Sequence, residues 1–132
     1  MKILSSHQMK LIEQQAMHIG ISQNELMENA GLNIAKVTYS RLTSSTKKSV
    51  LSLIGPGNNG GDGLVTSRIV HEWHIPVVIY LATNSTTCTE KYQECIDANI
   101  RVINASSDPD QKILSKEILN AGIILDAIFG AG

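Results

Sequence analysis

The chain has 132 residues, 42% of them hydrophobic and 17% charged, the composition of an ordinary folded domain and not of a disordered segment. Eleven basic against twelve acidic residues leave a net charge of −1, which argues against nucleic-acid binding, and no apolar run approaches the length of a membrane span. Residues 1–7 lack a signal-peptide core, and Cys88 and Cys95 fit neither a metal nor a redox spacing, so a cytoplasmic protein with reduced cysteines is expected.

In chain order, Ser5 and Gln8 have the spacing of a capping box and predict a first helix to about Met17. Gly20 ends it, and Ser22 with Glu25 repeats the device for a longer helix to about Leu42. Leu26, Ala30, Ile34 and Val37 share one face of that helix, which is expected to pack on a sheet. After the polar stretch 43–48, strands are predicted at 49–54, 77–82, 100–103 and 122–126. Helices between them are expected to begin near Asp62, Thr87 (with Glu90 three later) and Asp108, whose Pro109 suits a first helical position. The alternation implies an α/β fold: a Rossmann-like three-layer αβα architecture with a mainly parallel sheet, preceded by two helices. In the doubly wound order 3-2-1-4, the fourth strand lies beside the first, where the winding reverses.

The segment Gly55-Pro56-Gly57-Asn58-Asn59-Gly60-Gly61-Asp62-Gly63 follows the first strand and opens a helix. Five glycines in nine residues predict positive φ values and a close approach to a ligand, with helix N–H groups aimed at the same crevice. The run matches G-x-G-x-x-G, yet the second strand leads into Thr83-Asn84-Ser85 without the carboxylate that would hold a ribose. It is not a P-loop either, because Gly60 is followed by Gly61-Asp62 instead of Lys and a hydroxyl residue. Amide oxygens and one carboxylate, with no cation in the loop, suit a polar ligand and a hard cation. Asp126, at the end of the fourth strand, can meet Asn58 and Asn59 in this crevice, or can simply cap its own turn.

The run Asn58 to Gly63 resembles the signature of the YjeF N-terminal family, the NAD(P)H-hydrate epimerases. Leu26-Met27-Glu28-Asn29-Ala30-Gly31 and Leu125-Asp126-Ala127-Ile128-Phe129-Gly130-Ala131-Gly132 agree with it in the family's order. The resemblance implies a single domain over residues 1–132, incomplete at its C-terminal end, with four strands of a longer sheet. It implies that Asn58, Asn59, Gly60, Gly61 and Asp62, with Gly130, Ala131 and Gly132, contact hydrated NADH or NADPH. It further implies that Asn59 and Asp126 help bind a potassium ion, and that the protein is a homodimer. The reaction implied interconverts the R and S forms of the hydrated coenzyme, through loss and re-addition of water at an iminium ion and with general acid–base help. The catalytic group itself is unknown and is expected downstream of Gly132, so that residues 1–132 alone would not turn over. Ala131 stands where the family usually has Thr, leaving backbone N–H groups for any phosphate contact there. Relatives that serve as binding modules, and epimerases fused to an ADP-dependent dehydratase, are the alternatives that the resemblance leaves open.

Other residues read as structural. His71 and His74 lack a third metal ligand, Trp73 and Tyr80 are expected in or near the core, and Asn29 and Gly31 at a close helix contact. Asp62 is a conceivable proton shuttle, but as the residue that opens a helix it is expected to serve as its N-cap.

Overall fold

The computed structural model describes residues 3–130. Helix α1 spans Ser6–His18 and α2 Gln23–Leu42; β1 (Val50–Ile54), α3 (Asn58–Glu72), β2 (Val77–Leu81), α4 (Thr89–Asp97), β3 (Arg101–Asn104), α5 (Lys112–Asn120) and β4 (Ile123–Ala127) follow. The four strands are parallel in the order β3-β2-β1-β4, as the alternation predicts.

Local chemistry sets most boundaries. Ser5 and Gln8 make the reciprocal capping box that starts α1, and Gly20, at φ +97°, ends the segment. Ser22 caps α2 through the Glu25 N–H at 3.1 Å, the first half of the predicted box, while the Glu25 side chain does not return a bond to the Ser22 N–H among the described residues. Besides α3, two starts differ from expectation. Helix α5 begins at Lys112, behind Gln111 in the left-handed region at φ 58°, so Pro109 lies in the preceding turn. The buried Asp108 carboxylate still receives the N–H groups of Ile113 and Leu114 and the Tyr80 hydroxyl, which hold its pKa below the usual range despite burial. Helix α4 starts at Thr89, and Thr87 instead donates through both N–H and hydroxyl to the Pro56 carbonyl at 2.9 Å.

One face of the sheet packs Val50, Ile54 and Ile79 against Leu64, Val65 and Val70 of α3 and Cys95 of α4. The other packs Leu51, Tyr80 and Ile103 against Ile113 and Leu114 of α5. The buried side of α2 is Gly31, Ala35, Thr38 and Leu42, one position round from the predicted face, and Val37 is 55% exposed. Its main neighbour is α3 and not the sheet. A Cβ on Gly31 would lie 2.3 Å from Val65 Cγ1, and the Thr66 hydroxyl donates to the Gly31 carbonyl, so the small residue permits close approach of two helices. Asn29 is exposed and takes no part in that contact. Tyr80 is buried as expected, but Trp73 lies at the C-terminus of α3, 36% exposed and edge-on to Tyr39. Over β4 the α5 side is open among the described residues, with Ile124, Asp126 and Phe129 exposed.

Candidate functional site at the carboxyl edge of β1 and β4

Helix α3 begins at Asn58, four residues before its expected start, so Asp62 lies in its second turn and is not an N-cap. The N-cap is Gly57, which has no side chain to offer. The Gly61 N–H donates to the Gly57 carbonyl at 3.1 Å, while those of Asn58, Asn59 and Gly60 precede the first intrahelical bond. Among the described residues, three donors and the positive end of the helix dipole are therefore uncapped beside the loop after β1.

The glycines act differently from the prediction. None in residues 55–63 has positive φ. All but Gly57 are small because the chain is crowded there: a Cβ on Gly60 would lie 2.1 Å from the Gly55 carbonyl oxygen, and one on Gly63 would lie 2.6 Å from Ala127 Cβ, whereas one on Gly57 would meet nothing within 4 Å. A Cβ on Gly61 would stand 2.6 Å from both Met27 Cε and Cys88 Sγ, so this residue is turned into protein and away from an open crevice. A methyl there displaces only flexible side-chain ends. Gly61→Ala is thus expected to cost about 1 kcal/mol, read from urea unfolding; a loss above about 3 kcal/mol would show that Met27 and Cys88 cannot yield.

The loops after β1 and β4 touch. Asp126 sits in register opposite Leu53, the Gly55 N–H donates to the Ala127 carbonyl at 2.9 Å, and Asn59 Nδ2 donates to the Phe129 carbonyl at 2.8 Å. Gly130 lies against Asn59, which a Cβ would approach to 3.0 Å. Asp126 Oδ1 accepts the Ile128 N–H at 3.2 Å, the turn cap anticipated for it, and its carboxylate is exposed. The structure thus brings Asn59, Asp126 and Gly130 to one edge, whereas Gly60 and Gly61 are buried beneath it. Ala131 and Gly132 lie outside the described residues. Oxygen donors dominate this edge, which suits a weakly hydrated monovalent cation better than a transition metal.

Asn58 stands between two clefts. A small one, about 160 Å³, runs between α1, α2 and α3 and is lined by Glu13, Gln23, Met27 and Asp62. A second, about 300 Å³, is bounded by Asn24, Thr87, Cys88 and Lys91. The largest hollow is an open groove on the outer side of α1, remote from the sheet edge. Asp62 is half-buried, and burial first, then the negative charge of Glu13, pushes its carboxyl up to about 6. Lys91 is buried but committed, bonded to Glu28 at 2.5 Å, and Glu28 also pairs with Arg68 at 2.6 Å. With no uncommitted cation among the lining residues of these clefts, an anionic ligand is left to backbone N–H groups.

Sequence reasoning missed Glu13, Met27, Thr87, Cys88 and Lys91. Each reaches the site from another element; Met27 lies within the quoted segment Leu26 to Gly31, and no local motif marks the others. His71 and His74 belong to the end of α3, and no group of three or more His, Cys, Asp or Glu suited to a metal occurs among the described residues. Cys88 and Cys95 are free, and burial pushes the Cys95 thiol up to about 12. No described helix is long and apolar enough to cross a membrane.

Residues 23–132 match the family model described as YjeF-related protein N-terminus. The chain is 31% identical to the bifunctional NAD(P)H-hydrate repair enzyme Nnr of Thermofilum pendens, over all of this chain and 26% of that one. It is 33% identical to the NAD(P)H-hydrate epimerases of Candida albicans and Schizosaccharomyces pombe, covering 98% and 96% of this chain and 55% and 52% of theirs. The crystal structure of yeast ynu0 superposes with a TM-score of 0.84 at 27% identity, over 99% of this chain and 58% of that one. The chain spans between about a quarter and just over half the length of these relatives. From its motifs, its sheet order and these matches, it belongs to the family of YjeF-related protein N-termini.

Proposed function

We propose that this chain forms part of an NAD(P)H-hydrate epimerase, an isomerase that interconverts the R and S forms of hydrated NADH and NADPH in cytoplasmic coenzyme repair. The observation that carries the reading is the uncapped start of α3, locked to the exit of β4 through Asn59 and Phe129. A pyrophosphate placed there accepts the N–H groups of Asn58, Asn59 and Gly60, with the Asn58 side chain beside it. Gly130, which lies against Asn59, stands at the same end. Such binding needs no lysine or arginine, consistent with a lining whose one lysine is tied to Glu28.

The first role of this chain in the reaction is binding and orientation. Fixing the hydrated ring in one pose removes the entropy of finding it, and a group that moves a proton at the leaving hydroxyl lets water depart to an iminium ion. Potassium, in this reading, is held by the Asn59 amide oxygen and the free oxygen of Asp126, and its chemistry is to neutralise and order the meeting of the two loops. Asn59 Nδ2 is spent on Phe129, which leaves the amide oxygen for the ion. The test is conversion of the pure R epimer by the full-length protein, at rising potassium with choline holding ionic strength. Asp126→Ala is expected to raise the potassium needed for half-maximal rate at least about tenfold, some 1.4 kcal/mol. A rate independent of both potassium and Asp126 removes the ion from the site, and no conversion by the wild type removes the epimerase reading.

A second reading is compatible with the alignment to the bifunctional repair enzyme of Thermofilum pendens: the domain also heads a protein that consumes the S form. Consumption of the S epimer by the full-length protein with a nucleoside di- or triphosphate tests it.

A further inference from the structure

We propose that Asp62 is a proton-handling residue of the epimerase reaction, serving the face of the hydrated ring turned toward α1. The inference rests on the epimerase reading. R and S forms carry the hydroxyl on opposite faces, so protons must be moved on each face in turn, and a single group reaches both only if the ring turns over. One such group on each face meets this need, and Asp62, in the cleft that α1 closes, is placed to serve one of them.

The position is specific. Asp62 lies four residues along α3 from Asn58, about 6 Å at 1.5 Å per residue, so it stands one turn beyond the N–H groups that would hold the pyrophosphate. Its side chain lines the cleft between α1, α2 and α3. Having been displaced from the N-cap by the early start of α3, its carboxylate makes no hydrogen bond among the described residues, while its backbone carbonyl accepts the Thr66 hydroxyl at 2.8 Å. Facing it are Glu13 from α1, and Gln23, Leu26 and Met27 from α2, so Glu13 is the one titratable side chain among those lining the cleft opposite it. A half-buried carboxyl without a cation, facing a second carboxylate, holds its proton to about pH 6. That is near the operating range of a general acid.

The step balances without a co-reactant. The Asp62 carboxylic acid gives its proton to the departing hydroxyl oxygen, the C–O bond breaks, and water leaves as the ring nitrogen lone pair forms the C=N bond of the iminium ion. In reverse, water adds to that carbon, its proton passes to the Asp62 carboxylate, and the C=N electron pair returns to nitrogen.

The experiment uses full-length protein, pure R epimer and saturating potassium, with NADP⁺ as the binding probe. Asp62→Asn is expected to lower kcat by about 10²–10⁴-fold, with the Kd for NADP⁺ changed less than about threefold. Asp62→Glu should recover part of kcat. The wild-type rate should fall above about pH 6, and this limb should be absent in Asp62→Asn. Folding is controlled in the same variant. The carboxyl is raised from 3.8 to about 6 in the folded state, so folded protein loses stability as pH rises from about 4 to 6. Asp62→Asn should therefore melt higher than wild type at pH 8 but not at pH 4. An active wild type matched within about threefold by Asp62→Asn, or a variant retaining the pH limb, overturns the role alone. An inactive wild type overturns the epimerase reading and this role with it.

Discussion

Gly60→Ala is expected to destabilise the fold by about 3 kcal/mol and to take dinucleotide binding down with it. On helix propensity alone the exchange would stabilise α3 by about 1 kcal/mol. The new Cβ, however, would lie 2.1 Å from the Gly55 carbonyl oxygen and 3.0 Å from its carbon. Gly55 cannot retreat, because its N–H is bonded to the Ala127 carbonyl and its own β position would meet the Ile128 oxygen at 1.8 Å. The clash is between backbone segments fixed by three elements, so it exceeds the propensity gain. Either the first turn of α3 unwinds or the loop separates from β4, and both remove the N–H groups from their place. Urea unfolding and NADP⁺ titration of the same preparation measure the two effects. A variant within 0.5 kcal/mol of wild type, about the ordinary scatter of surface substitutions, would mean that the loop packs less tightly than these distances require.

Glu28→Ala is expected to cost about 3 kcal/mol, the low end for breaking a buried pair because Glu28 itself is about a third exposed. Glu28 bridges Lys91 at 2.5 Å and Arg68 at 2.6 Å, tying α2 to α4 and α3. The Lys91 side chain is only 7% exposed, and its other partner, Glu94, stands at 3.5 Å. Without Glu28 the buried ammonium keeps its desolvation cost and loses most of its compensation. Burial alone would raise the Glu28 pKa, but the Lys91 hydrogen bond and the attraction of Arg68 outweigh it and hold the group below its ordinary 4.5. A depressed carboxyl contributes stability above the unfolded value and loses it as pH falls through the folded one. The wild-type advantage over Glu28→Gln should therefore be full at pH 7 and shrink below about pH 4.5. A pH-independent difference would assign the loss to packing. Since Met27 and Lys91 border the cleft beside Asn58, loosening α2 should also weaken dinucleotide binding.

The sequence by itself determined the elements whose information is local. The capping box at Ser5 and Gln8, the Ser22 cap, the β-branched strand at Val50–Ile54 and the alternation of strands and helices are set by neighbours within a few residues, and all stand as read. Sheet order followed because short right-handed crossovers leave few alternatives, and it placed Asp126 beside the loop after β1. The tertiary structure decided what depends on who is packed opposite. The glycines of 55–63 read as a ligand loop with positive φ; Gly60, Gly61 and Gly63 are instead buried small residues against the Gly55 carbonyl and the side chains of Met27 and Ala127. Asp62 looked like a cap, but the helix extended back over Asn58 to Gly61 because those residues pack against α2 and β4, and this released its carboxylate into the cleft with Glu13. The buried face of α2 shifted by one residue because Gly31 had to meet Val65. Periodicity finds an apolar stripe but not its partner, and in this domain contacts between elements distant in sequence set both the packing of the glycines and the environment of Asp62.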